Sequence, residues 1–285
     1  MRVAIVTDAN KGVGNGTVEL LARSLKPLGL EAVKALEEKG LIVRFHQIDI
    51  TDADSQHKLA EFIKDKYPDG IDILVNNAGI AYKVGTHMVS HIGIWADSIA
   101  SLGEQARVTI ATNYTATVKM CIEFLPLMGD SNKQSTTTAG TMAVRSLHAM
   151  SKVMAANFKG QLTLQEVDEL VASFIKYAEA GDHEKVGFSN SSCGILKIGV
   201  WKATAILADF KPQDQAEKER TSGQSLPPML IPLLHLGADT PVYLATLPKG
   251  TTEPYGHFVS ERQIVDVDQE FPPLGQSNPV KKSQS

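Results

Sequence analysis

Apolar and polar positions along this chain change period in blocks, and the blocks alternate between strand-like and helix-like. Arg2 to Thr7 (RVAIVT) is a short β-rich apolar run, the form of a strand buried on both faces of a parallel sheet. Gly12 to Leu25 takes helical spacing, and Pro27 and Gly29 interrupt it. A second amphipathic stretch, LEAVKALEEKG, follows, with Gly40 as its predicted stop. Ile42 to Ile48 (IVRFHQI) reads as a strand, Ala53 to Tyr67 as a helix and Ile71 to Val75 (IDILV) as another buried strand. Farther on, Gln105–Met128, Leu164–Ala180 and Ser192–Phe210 are helical stretches, and GHFVSE supplies a last strand. Ser131 to Gly140 is too polar for a central strand and reads as a loop. Such βαβ alternation, without an internal repeat, predicts a doubly wound α/β fold with a parallel sheet in three αβα layers. One domain over residues 1–271 is expected, followed by a polar, proline-interrupted tail, 272–285, expected to be disordered.

Composition narrows the partners. The 285 residues are 43% hydrophobic and 21% charged, with a formal net charge of −4, enough for a sizeable core. No basic run precedes Lys281-Lys282, so neither nucleic acid nor an anionic membrane is an expected partner; small molecules are. Two cysteines, Cys121 and Cys193, fall far short of a disulfide scaffold and suit a reducing compartment. No apolar run reaches membrane-spanning length and MRVAIVTD enters a strand directly, so a cytoplasmic protein is expected.

Two stretches carry candidate chemistry by position. Thr7-Asp8-Ala-Asn-Lys11-Gly12-Val13-Gly14 lies between a strand and a helix, where glycines admit a pyrophosphate and a helix N-terminus offers oriented N–H groups. A plain tight turn explains it equally well. Asn76-Asn77-Ala78-Gly79 follows IDILV directly, at the carboxyl end of a parallel strand, where open α/β sheets bind ligands.

The pieces VTDANKGVG, RFHQIDI, DILVNNAGIAYKV, TNYTAT, CGILKIGV and ADTPVYLATLP, in this order, resemble the short-chain dehydrogenase/reductase family, and its NADPH-dependent carbonyl reductase branch in particular. The resemblance implies a Rossmann-type domain, NADPH as cofactor, and aldehydes, ketones or quinones as substrates. The helix-bearing segment 161–184 resembles an insertion of that branch that covers the family's association surface, which implies a monomer. Gly12 and Gly14, with Val13 between them, match the cofactor turn; Asp49 matches an adenine contact. Asn76 matches the asparagine that steadies the sheet beside the nicotinamide, with Ala78 and Gly79 completing that motif. Asn113 matches the holder of a proton-relay water, and Lys197 the lysine that binds the nicotinamide ribose and lowers the pKa of a catalytic tyrosine. Lys11 and Arg23 would face the 2′-phosphate of NADPH; solvated surface charge is the alternative.

The chain also departs from the pattern. Asp8 stands where the first cofactor glycine is expected. Only RSLKPLG separates the first helix from the next, so one family strand is missing there. Thr137 is the best match to the serine that hydrogen-bonds the substrate oxygen, within the polar stretch that otherwise reads as a loop. SLPPMLIPLLHLGADT replaces the proline-glycine loop, and THMVSHIGIWADSI is extra. His87, His91 and Asp97 within that extra stretch match no metal spacing and read as surface residues. At the tyrosine position stands Cys193, whose thiol is an acid in principle but far shorter than a phenol. Lys197, one helical turn on, would depress the thiol pKa if Cys193 were reactive; a small helix residue is the plainer reading. Two accounts follow: a carbonyl reductase with a rebuilt or weakened proton-donor site, or a pseudoenzyme that binds a nucleotide or a protein partner.

Overall fold

The computed structural model describes residues 3–8, 34, 36–40, 43–80, 82, 100–128, 134–138, 142–208, 220–224, 234–248, 257–260 and 262–268. Its strands are β1 (Ala4–Val6), β2 (Ile73–Asn76), β3 (Gln134–Thr138), β4 (Arg220–Gln224), β5 (Phe258–Ser260) and β6 (Gln263–Ile264). They form one sheet in the order β1-β2-β3-β4-β5-β6. The first five pair in parallel, and β6 returns antiparallel to β5.

Strand alternation sorts the core into layers. Ile5 and Leu74 point to one side, into a cluster that also contains Phe124, Phe174 and Ile195, while Val6, Ile73 and Val75 point to the other, against Leu36, Val43 and Ala245. The first side is covered by α1 (Ala53–Lys66), α2 (Leu102–Ile110), α3 (Ala116–Phe124), α4 (Met142–Ala149), α5 (Lys152–Lys159), α6 (Leu164–Ala180) and α7 (Ser192–Ala208). On the second side lies α8 (Leu234–Ala245), which holds Ala245. Helices on both faces of a parallel sheet are the three layers expected from the sequence.

Gly40 ends a helical turn with φ 76, and its N–H donates to Glu37 O at 2.8 Å. α1 starts at an Asp52 cap and stops within a residue of its expected end. The capping box of α6 joins Thr163 and Glu166 in both directions.

Three local readings of the sequence differ from the structure. Residues 43–48 of IVRFHQI are not a strand and pair with no described strand; among the described strands β1 has only β2 beside it. Val43 packs on the sheet instead, while Phe45 is exposed. Residues 134–138 are not a loop but the central strand β3, bonded to β2 and β4 through a backbone whose ladder is indifferent to side-chain polarity. Its three consecutive threonines are β-branched and suit a strand. The stretch RTSGQ carries no apolar signal, yet forms β4.

The expected helix at 12–25 and the tail 272–285 lie outside the described residues. So does the extra stretch with His87, His91 and Asp97.

Candidate active site

The carboxyl ends of β1, β2 and β3 meet at one edge of the sheet, and three short segments are tied together there. Thr7 Oγ1, just past β1, accepts from Asn77 N at 3.0 Å and Ala78 N at 2.8 Å. Asn77 Nδ2 returns a bond to Thr7 O at 3.0 Å. Ala78 and Gly79 are therefore fixed to the end of β1 by the loop's own polar groups.

Asp8 follows Thr7 with φ 51. This is the left-handed region that glycine enters freely and that aspartate tolerates at a cost of about 1 kcal/mol. The backbone thus takes a glycine-like turn without a glycine. Asp8 O accepts from Asn77 Nδ2 at 3.4 Å, which helps to hold it.

Asn76 is buried at the end of β2, where its Nδ2 donates to Cys121 Sγ on α3 at 3.1 Å. Its Oδ1 has no hydrogen-bond partner among the described residues. An orphaned buried acceptor of this kind costs free energy and marks a place where a donor is wanted. In register beside Asn76 stands Thr137 of β3, so the sheet brings the backbones of these two positions together.

Asn113 arrives from a different direction. The helix running from α2 into α3 contains a π-helical turn, Ala111–Thr115, in which Asn113 and Tyr114 are buried. Such single-turn insertions recur at functional sites. Asn113 Oδ1 accepts from Ile80 N at 2.8 Å, and its Nδ2 donates to Ile80 O at 2.7 Å. The carboxamide thereby holds the loop after β2 at its far end. Gly79 lies close to this carboxamide: a Cβ there would come 3.3 Å from Asn113 and press on it.

Cys193 and Lys197 sit on α7, whose first turn is capped by Ser191: Gly194 N donates to Ser191 Oγ at 3.0 Å. Gly194 allows α4 to approach; a Cβ there would fall 2.4 Å from Ser146. The thiol of Cys193 is exposed, while burial holds the Lys197 ammonium below its usual pKa, with a smaller opposing pull from Cys193. A lysine so placed is a positioned donor near an exposed helix start.

Asp49 stands at the turn leading into α1, where its Oδ1 accepts from Thr51 N at 2.8 Å and from Thr51 Oγ1 at 2.7 Å. Those bonds hold its pKa down. Lys11, Gly12, Val13, Gly14 and Arg23 lie outside the described residues. The structure thus brings Asn76, Ala78, Gly79, Asn113 and the backbone of Thr137 to one edge, with Cys193 and Lys197 on the helix that packs against the π turn through Gly199 and Tyr114.

The hydroxyls of two described tyrosines, Tyr82 and Tyr114, are committed to carboxylates. Tyr82 donates to Glu104 Oε1 at 2.9 Å, and Tyr114 donates to Asp168 Oδ1 at 2.6 Å. Burial and that bond push the Tyr114 phenol far above its ordinary pKa, so it is no proton donor. Sequence reading missed the π turn and the Tyr114–Asp168 bond; neither has a local signature, since the partners are 54 residues apart.

Comparison with known proteins agrees with this architecture. The family described as short chain dehydrogenase matches residues 2–155. Carbonyl reductase [NADPH] 1 of Sus scrofa is 34% identical over 93% of this chain and 94% of its own length. The enzyme of the same name from Pongo abelii is 35% identical over 93% and 98%. Among solved structures, menthone neomenthol reductase from Mentha piperita superposes with a TM-score of 0.73 at 27% identity, covering 91% of this chain and 98% of that one.

Proposed function

From the chain's membership of the short chain dehydrogenase family, we propose that it is an NADPH-dependent reductase of aldehydes, ketones or quinones whose proton-donor position has been vacated at Cys193. The observation that carries this reading is the pairing on α7 of a half-buried Lys197, its pKa lowered by desolvation, with an exposed thiol one turn before it, on a helix packed against the turn that holds Asn113.

The residues fit a dinucleotide. A glycine-like turn at Asp8, a loop at Ala78–Gly79 kept free of bulk, and an unpartnered buried acceptor on Asn76 lie at the carboxyl edge of a parallel sheet, the usual ligand edge of such folds. When bound, NADPH supplies the hydride for the carbonyl carbon. Lys197 would hold the nicotinamide ribose, and Asn76, Ala78 and Gly79 would flank the ring. Lys11, Gly12, Val13, Gly14 and Arg23 would meet the phosphates, with Asp49 toward the adenine. Thr137 would hydrogen-bond the substrate oxygen, and Asn113 would keep a water in the path that returns the proton. The proton itself needs an acid within hydrogen-bond reach of the nascent alkoxide. The Cys193 side chain is several ångströms shorter than a phenol and leaves a gap at that step.

That gap favours a second reading, a pseudoenzyme that binds nucleotide or a protein partner without turning over carbonyls. Its specific support is that the hydroxyls of Tyr82 and Tyr114 are already committed elsewhere. We also infer a cytoplasmic monomer. In support, the inserted α6 packs tightly on α2 and α7, where Cβ atoms at Gly103 and Gly199 would strike Glu179 and Val171 at 2.6 and 2.9 Å.

Titration of NADPH fluorescence with the full chain tests cofactor binding first. Saturable binding supports both readings; NADPH oxidation with a quinone or an aromatic aldehyde by Cys193→Tyr then separates them, recovered turnover favouring the reductase and none the pseudoenzyme. Absence of binding would contradict the reductase reading.

A further inference from the structure

We propose that the inserted helix α6 is a working part of the site: through its Asp168, Tyr114 acts as a positioning residue that sets the π turn and, by way of Asn113, the loop Asn77–Ile80. The bond itself is direct, Tyr114 hydroxyl to Asp168 Oδ1 at 2.6 Å, and joins elements far apart in sequence. Asp168 is held in place because the phase of α6 is fixed at both levels. Its capping box binds Thr163 N to Glu166 Oε2 at 2.7 Å, and Val167, Val171 and Phe174 are buried on one face.

The ring of Tyr114 has no slack. It is 2% exposed, and a Cβ on Gly199 would lie 3.0 Å from two of its ring carbons. A phenylalanine would fill the same space, so the hydroxyl adds direction to the packing. Burial and the bond to Asp168 raise the phenol's pKa, and its hydroxyl is the donor in that bond. A π turn leaves the regular helical ladder and is held by contacts outside itself. Here those contacts are Asp168 on one side and Ile80 on the other, reached by adjacent residues of the same turn. Asn113 grips Ile80 at both its N–H and its C=O, so a shift of the turn is passed to the loop with little loss.

The functional meaning of this latch rests on the proposed cofactor site, but the latch itself can be read without cofactor. Amide hydrogen exchange at Ile80, whose N–H is bonded to Asn113, reports it directly. The variants are Tyr114→Phe, which keeps the volume; Asp168→Ala, which removes the acceptor; and Asp168→Asn, which retains an acceptor oxygen. Ile80 should exchange roughly 3- to 10-fold faster in the first two and near the parent rate in the third, with the slowest core amides unchanged. Unchanged Ile80 exchange in Tyr114→Phe and Asp168→Ala would overturn the proposal, as would a uniform rise at all amides that tracks a loss of global stability. NADPH affinity should weaken by a similar factor in the same two variants and recover in Asp168→Asn. Faster Ile80 exchange with NADPH affinity unmoved would overturn the link to the site. If the parent chain binds no NADPH, the reductase reading fails, and Ile80 exchange alone decides the latch.

Discussion

Cys193 and Lys197 stand one turn apart on α7, the thiol exposed at the helix start and the lysine half-buried behind it, with desolvation holding its pKa down. Desolvation opposes the charge of this amine. Its retention one turn from an exposed short side chain is what a cofactor-binding lysine beside a vacated proton-donor position would look like.

Replacing that amine separates stability from binding. The folded-state pKa of Lys197 lies below the 10.5 of a free lysine, so between the two values the unfolded chain binds more protons and stability rises with pH. Lys197→Met should flatten this rise. NADPH affinity should fall by at least tenfold, or about 1.4 kcal/mol. Chemical denaturation across alkaline pH, with parallel NADPH titrations, checks both.

Asp8 offers the opposite substitution. Its φ of 51 suits glycine, and its carboxylate lies in the segment expected to approach the cofactor phosphates. Asp8→Gly should stabilise the fold by up to about 1 kcal/mol and tighten NADPH binding severalfold, more so at low salt. Thermal melts and titrations at two ionic strengths measure this; weaker binding in the variant would sink the idea.

Asn113 tests the loop. Asn113→Ala removes both bonds to Ile80 and leaves the Ile80 N–H and C=O without that partner. A loss of roughly 1–3 kcal/mol is expected, with NADPH affinity reduced. Asn113→Asp keeps the acceptor for Ile80 N but turns a carboxylate oxygen toward Ile80 O, and should lose at least as much as Ala. NADPH affinity unmoved in both variants would contradict the pinning role.

What the chain's pattern disclosed depended on how local each cause was. Apolar runs buried on both faces disclosed β1 and β2, while periodicity and caps disclosed α1 and α6, because those signals lie within a few residues. The polar strands β3 and β4 were hidden because their reason is the ladder on either side. IVRFHQI had the composition of a strand, yet its residues 43–48 pair with no described strand. Asn76, Asn113 and Lys197 were singled out through a motif resemblance. The Asn113–Ile80 and Tyr114–Asp168 bonds were not, since they appear only once α2, α6 and the loop after β2 are folded together. Asp8 showed as a departure in sequence; only the structure shows that it takes a φ glycine favours.

The central claim, that Cys193 occupies a vacated proton-donor position in an otherwise inherited NADPH site, is tested most directly by comparing NADPH oxidation with a quinone for the parent chain and Cys193→Tyr. Because Cys193 is exposed at the start of α7, a larger side chain has room there. The account predicts similar NADPH affinity for both proteins, little turnover by the parent and about 100-fold more by the variant, within the range a positioned general acid supplies. Robust turnover by the parent, unchanged or lowered by the tyrosine, would contradict it.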